Sequence, residues 1–164
     1  MSDLWVVNAS PLIVLAKAGR LNLLEEITSE LLVPPAVVSE VLAGAAADPA
    51  RRALEAGWGK RVSSPKVPEI VREWSLGAGE SEVIALTMEN KGRTAVLDDA
   101  DGRMCARAVG IAMIGTLGVV IRAKRLGYVE SAGEVIVAMR DAGLRLDDTT
   151  IELALRHVGE EWRR

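Results

Sequence analysis

The residues best suited to chemistry are acids placed where apolar runs stop. Ala95-Val96-Leu97 ends at two adjacent carboxylates, Asp98 and Asp99, and a helix-like segment from Ala100 to Val109 follows at once. Neighbouring carboxylates repel unless a cation or a proton lies between them. Hard divalent cations such as Mg²⁺ are held by oxygens of just this kind. The first apolar run, Leu4 to Val7, stops in Asn8-Ala9-Ser10-Pro11, where Asn8 offers a neutral carbonyl oxygen. Glu40 and Glu80 lie on helix-like segments between these two strand ends. Two strand ends and two helix-borne glutamates form the hypothesis of one acidic metal site.

The elements that must position them read as follows. Leu4 to Val7 is a short, continuous, branched run, the pattern of a buried strand. Pro11 suits the first turn of a helix, where its missing N–H is no loss, and Leu12, Leu15 and Ala16 continue at helical spacing up to Gly19. A second short helix spans Leu21 to Ile27, and Leu31-Leu32-Val33 is the next strand. Pro34-Pro35 opens a helix whose stripe is Val37, Val41 and Gly44, with Glu40 on the same face. A carboxylate on a core-facing stripe needs a partner or a metal. At a stripe edge it needs only water, and spacing leaves both readings open.

Arg51 and Arg52 fall on a short solvated helix, Arg61 to Ser63 on a brief strand, and Ser64 to Glu69, with two prolines, on an irregular loop. Gly77-Ala78-Gly79-Glu80 opens a strong helix that runs to Gly92. Glu80 begins its apolar stripe, whereas Glu82 and Glu89 lie on another face that reads as solvated. An acid in the first turn is also favoured simply by the helix dipole. Thr94 to Leu97 is the central strand, and Ile111 to Ile114 is another. Helices follow from Thr116, from Ala132 to Ala142 and from Asp148 to Val158. Short apolar strands alternating with longer helices imply an α/β fold with a parallel sheet between helical layers.

The whole chain sets the bounds. Its 164 residues, 49% of them hydrophobic and 26% charged, suit one folded unit over 1–164 with a sizeable core. A net charge of −3 argues against a broad basic nucleic-acid surface and leaves room for a local basic stripe. A single cysteine, Cys105, precludes an intrachain disulfide framework and fits a reducing compartment. No basic leader precedes the N-terminal apolar run, and no run is long enough to span a bilayer, so the expectation is a cytoplasmic protein without a membrane partner.

Five pieces in order resemble the PIN-domain nucleases, in particular a prokaryotic branch related to toxin–antitoxin ribonucleases. They are Val6-Val7-Asn8-Ala9-Ser10-Pro11-Leu12-Ile13, Val33-Pro34-Pro35-Ala36-Val37-Val38-Ser39-Glu40-Val41, Gly79-Glu80-Ser81-Glu82-Val83-Ile84-Ala85-Leu86, Leu97-Asp98-Asp99 followed by Arg103, and Gly115-Thr116-Leu117-Gly118. The C-terminal helices carry no such motif. The resemblance implies a three-layer fold with a parallel sheet of about five strands flanked by helices. It implies an acidic cluster binding Mg²⁺ or Mn²⁺ and hydrolysing RNA, with a cognate antitoxin as partner. By position, the family's first acid falls on Asn8, the acid of the proline-led helix on Glu40, the helix-start acid on Glu80 with Glu82 as an offset alternative, and the strand-end acid on Asp99 beside Asp98. Ser10 matches the small hydroxyl residue near the first acid. Asn8 departs from the family's usual Asp and removes one negative charge.

In that reading Glu40, Asp98 and Asp99 position the cation, Asn8 adds a neutral ligand, and Glu80 binds a second ion or orients the attacking water. Arg103 and Arg107 follow the acids and both could reach substrate phosphate, with Arg103 alternatively pairing with an acid of the cluster and holding it in place. Trp58 and Trp74 flank the irregular loop and could stack on bases, although aromatics in a chain without Phe more often serve the core or an interface. His157, the lone histidine, reads as a surface helix residue and Cys105 as packing. A second function class stands beside the nuclease: a PIN-fold module with impaired chemistry that acts by binding RNA or protein. A nucleotide-binding domain of similar architecture is disfavoured, since no Gly-rich phosphate loop follows the first strand. Apolar stripes near Val135 and Leu153 make a homodimer a further expectation.

Overall fold

Five short runs pair into one parallel sheet: β1 (Leu4–Val7), β2 (Glu30–Val33), β3 (Lys60–Arg61), β4 (Arg93–Val96) and β5 (Ala112–Ile114). The structure, a computed structural model, describes residues 3–163, so both ends of the 1–164 span lie outside the described residues. The strand order is β3-β2-β1-β4-β5, which puts β1 at the centre. Trp5, Val6 and Val7 are buried on a strand covered on both faces, as a continuous apolar run in a parallel sheet requires.

Seven of the described helices fill the crossovers between strands and three follow β5. They are α1 (Ala9–Lys17), α2 (Asn22–Ile27), α3 (Pro35–Leu42), α4 (Pro49–Glu55), α5 (Glu69–Arg72), α6 (Ala78–Met88), α7 (Ala100–Val109), α8 (Thr116–Arg125), α9 (Ala132–Asp141) and α10 (Asp148–Arg156). The three-layer α/β architecture with a five-stranded parallel sheet is the one expected from the sequence. None of the described helices is long and apolar enough to cross a membrane.

Local chemistry explains the helix ends that matter. Pro35 stands in the first turn of α3. Asp99 caps α7 by accepting the Gly102 N–H at 3.0 Å, and Gly110, at φ 77°, closes that helix in the left-handed region where glycine is favoured. The motif-free C-terminal part is tied down by Glu160. Its carboxylate accepts the Ala132 N–H at 2.8 Å and the Gly133 N–H at 3.1 Å, and lies 3.4 Å from Lys124 Nζ.

Several sequence expectations change here. Glu82 is not solvated: it is 9% exposed, and its carboxylate accepts the Ala36 N–H at 2.7 Å. Helix α6 is buried on nearly every side, so a residue off its apolar stripe still lies inside the protein. Glu82 thus pins the start of α3 to α6. Glu82→Ala would leave that N–H unpaired and is expected to cost roughly 2 kcal/mol in denaturant unfolding.

The edge strand β3 starts one residue earlier than its pattern suggested, and the short helix α5 emerges next to the irregular loop. Trp58 and Trp74 are half-buried against the core rather than presented to a ligand. The basic run at the end of α8 is also engaged. Arg122 lies over the Trp5 ring at 5.6 Å and pairs with Asp3 at 2.6 Å, while Lys124 donates to the Glu130 carbonyl. Cys105 is buried and His157 exposed, both as expected.

Candidate functional site

Strands β2 and β3 lie on one side of β1, β4 and β5 on the other. The strand order therefore reverses between β1 and β4, and the crevice at their carboxyl ends is where parallel sheets accept ligands. Asn8 and Asp98-Asp99 stand at those two ends, and the Asn8 N–H extends the ladder to the Val96 carbonyl at 3.2 Å.

Asn8 is the N-cap residue of α1, yet its side chain caps nothing. It is 5% exposed, and Oδ1 has no hydrogen-bond partner among the described residues. A buried amide oxygen left alone is costly. What it faces is the first turn of α6 and the carboxylate of α3. A Cβ placed on Gly79 would stand 3.3 Å from Asn8 Oδ1 and 3.4 Å from Glu40 Oε2. Glu40 is itself exposed at the mouth, so of the two readings left open by spacing its carboxylate lies at the stripe's edge while bending back towards Asn8.

A second pair lies against α7. A Cβ on Gly102 would stand 3.7 Å from Glu80 Oε2 and 3.8 Å from Asp99 Oδ2. Each pair is thus packed against a glycine that leaves room for oxygens. Glu80 joins the pairs electrostatically. Burial, then the nearby charges of Asp99, Glu40 and Asp101, push its carboxyl above the usual range. Carboxylates in this state hold protons more tightly until a cation replaces them.

Asp98 is oriented differently from its neighbour. One oxygen accepts the Thr116 N–H at 2.7 Å and the other the Thr116 hydroxyl, so Asp98 ties the end of β4 to the start of α8. Arg103 donates to the Leu97 carbonyl at 3.2 Å and makes no ion pair with Asp98 or Asp99 among the described residues. A Cβ on Gly115 would meet Arg103 Nη1 at 2.7 Å and Asp98 Oδ1 at 3.2 Å, so a side chain there would displace the Arg103 guanidinium and crowd Asp98. Arg107 is exposed and Ser10 opens onto the cleft beside Asn8.

Among the described residues, no three His, Cys, Asp or Glu side chains stand close enough to hold a metal ion by themselves. The nearest approach is the two-plus-two arrangement, Asn8 with Glu40 and Glu80 with Asp99. Its donor set is all oxygen, suited to Mg²⁺ or Mn²⁺ rather than to a soft metal. The orphaned Asn8 oxygen and the glycine-made space fit such an ion. The cleft between Asn8, Ser10, Glu40 and Glu80 holds about 250 Å³, and it continues into one of about 350 Å³ floored by Asp98 and Asp99. A larger recess of about 500 Å³ lies between the far ends of α6 and α7, has no carboxylate in its walls and is remote from this chemistry.

The space above Gly79 is a testable requirement. Gly79→Ala adds a methyl group against two ligand oxygens while supplying a better helix former. The variant is expected to stay within about 1 kcal/mol of the native chain's stability, the small first-turn gain from alanine being offset by its close approach to Asn8 and Glu40. Its affinity for Mn²⁺ is expected to fall about 10-fold, as for disturbed ligand orientation elsewhere. Thermal unfolding and Mn²⁺ titration would show affinity lost with little change in stability.

No curated protein matches the sequence at a significant level. The profile of a family described as DUF3368: PIN domain matches residues 4–160. Spanning that match over nearly its whole length, with a parallel sheet in which Asn8 and Asp98-Asp99 end adjacent strands, the chain belongs to this PIN-domain family.

Proposed function

We propose that the chain is one PIN-like unit that hydrolyses RNA phosphodiester bonds with Mg²⁺ or Mn²⁺, as the toxin of a toxin–antitoxin pair restrained by a cognate antitoxin. The observation that carries this reading is the buried Asn8 oxygen, without a hydrogen-bond partner among the described residues, near Glu40 and sharing one cleft with Glu80 and Asp99. Asn8, Glu40 and Asp99 would hold the cation, with Glu80 opposite them. When bound, the ion would activate water and stabilise charge at the phosphate.

The chain's own groups do the rest. Glu80 accepts a hydrogen bond from the attacking water and so orients it. Asp98, engaged by Thr116, keeps the β4 end and the α8 start in register and positions Asp99. Ser10, exposed at the cleft mouth, can donate to a substrate oxygen. Arg103 braces the same strand end through the Leu97 carbonyl.

Mn²⁺ binding tests the ligand assignment without reference to turnover. Titration calorimetry should find binding to the native chain, weakened by Glu40→Gln and by Asp99→Asn. Unchanged binding in both variants would dismiss the proposed ligands. One observation favours the alternative of an impaired PIN module acting by binding alone. The position of the family's first acid is Asn8, and no three acids converge among the described residues. RNA binding without cleavage under any divalent cation would favour that reading.

A further inference from the structure

The acidic cleft has a cationic wall that no sequence motif marks. Helix α9 ends in a turn at Gly143, whose φ of 111° is open to glycine and strained for other residues. The Gly143 N–H returns to the Arg140 carbonyl at 3.0 Å and the Leu144 N–H to the Met139 carbonyl at 3.0 Å. This turn sends Leu144 and Arg145 back over the carboxyl ends of the strands. There they wall the cleft floored by Asp98 and Asp99, opposite Asn8 and Glu80. Beyond Leu144 the cleft opens into a recess of about 490 Å³ shared with Asp98 and lined by Arg103, Ile114, Leu117 and Leu146.

A polyanion approaching Glu40, Glu80 and Asp99 meets repulsion unless a cation offsets it. The basic side chains in the walls of these joined clefts are Arg103 and Arg145. Arg103 is committed to the Leu97 carbonyl. Arg145 is exposed and has no hydrogen-bond or ion-pair partner among the described residues. An arginine without a hydrogen bond or ion pair among the described residues, set next to a glycine-fixed turn in the wall of the acidic cleft, has the fork geometry that binds phosphate in two hydrogen bonds.

We propose that Arg145 grips a backbone phosphate of a single-stranded RNA lying along this groove, next to the bond presented to the acids. The inference rests on the nuclease reading of the same cleft and adds the residue that holds the substrate there. The apolar recess beyond Leu144 leaves room for the adjoining nucleotide, so the strand runs from the Glu40 side towards Leu146.

Binding of a fluorescein-labelled oligouridine, followed by anisotropy with Ca²⁺ in place of Mg²⁺ and checked on gels for intact RNA, tests this. Arg145→Ala should weaken binding roughly 10-fold, the worth of a charge-assisted hydrogen-bond pair. It should also flatten the slope of log affinity against log salt by about 0.7, the signature of one lost phosphate contact on a single strand. Arg145→Lys should keep the slope and recover part of the affinity. Arg107→Ala, which removes an exposed arginine outside the groove, should change neither. Circular dichroism and melting of Arg145→Ala should match the native chain. If Arg145→Ala shifts affinity and slope no more than Arg107→Ala, the inference fails, and so it does if the native chain binds no oligouridine. Cleavage by the same native preparation in Mn²⁺ judges the nuclease reading separately.

Discussion

Asp99→Ala is expected to lower Mn²⁺-dependent RNA cleavage by more than about 100-fold, beyond the loss usual for groups that merely support a metal ligand. Two roles of Asp99 would be removed together, since its carboxylate faces Glu80 and also caps α7 through the Gly102 N–H. The capping role alone is worth about 1 kcal/mol of stability. Asp99→Asn separates them. Asparagine caps a helix as well as aspartate does, so this variant should melt close to the native chain while still losing most of its cleavage. Single-turnover rates beside melting curves would make the comparison. Cleavage that survives both substitutions would move the chemistry away from this strand end.

Asn8→Asp is expected to act in the opposite direction. It turns a neutral ligand into a charged one at a buried corner of the cleft, where Oδ1 has no hydrogen-bond partner among the described residues. Charge count is a main determinant of affinity for hard cations, and Mn²⁺ binding should tighten roughly 10- to 100-fold, with cleavage rising alongside it. In EDTA the sign reverses. A further carboxylate beside Glu40 adds to the repulsion that already raises the Glu80 carboxyl, so the metal-free variant should melt below the native chain. A tighter ion and a lower metal-free melting point together identify position 8 as a ligand. A variant that binds Mn²⁺ no better would place the ion elsewhere.

Much of this arrangement is legible in the chain because strand ends and helix starts carry their own punctuation. Leu4 to Val7 followed by Asn8, and Ala95 to Leu97 followed by two aspartates, mark the two adjacent strand ends that the sheet brings side by side. Pro35 and the glycines around Glu80 mark the helix starts that bring their acids towards the same end. The small parts escape for physical reasons. Strand β3 is two residues long and helix α5 four, too short for any period to register. Glu82 is misread because period identifies a helix face only when one face meets water, and α6 is enclosed. Its partner, the Ala36 N–H, is supplied by another helix 46 residues away.

The division of labour between the paired aspartates is local for one and distant for the other. Asp99 directly before a helix is a readable N-cap, whereas nothing near Asp98 says that Thr116, 18 residues on, takes it. Arg145 is the clearest case. It lies in a stretch without motif, and its position over the cleft follows from how the α9 turn at Gly143 docks after Glu160 has anchored the start of that helix. The glycines could have been found by asking why Gly79 and Gly102 stand in the first turns of α6 and α7, where better helix formers exist. The answer, room for oxygens, needs the fold.

The most direct test of the account is cleavage of end-labelled single-stranded RNA by the native chain with Mg²⁺ or Mn²⁺, with an EDTA arm and Asp99→Ala purified in parallel. The account predicts cleavage that requires the divalent cation, stops in EDTA, returns when the cation is restored in excess, and is absent from the variant. Cleavage indifferent to EDTA or to the substitution, or intact RNA under every divalent cation with the chain shown to be folded, would contradict it.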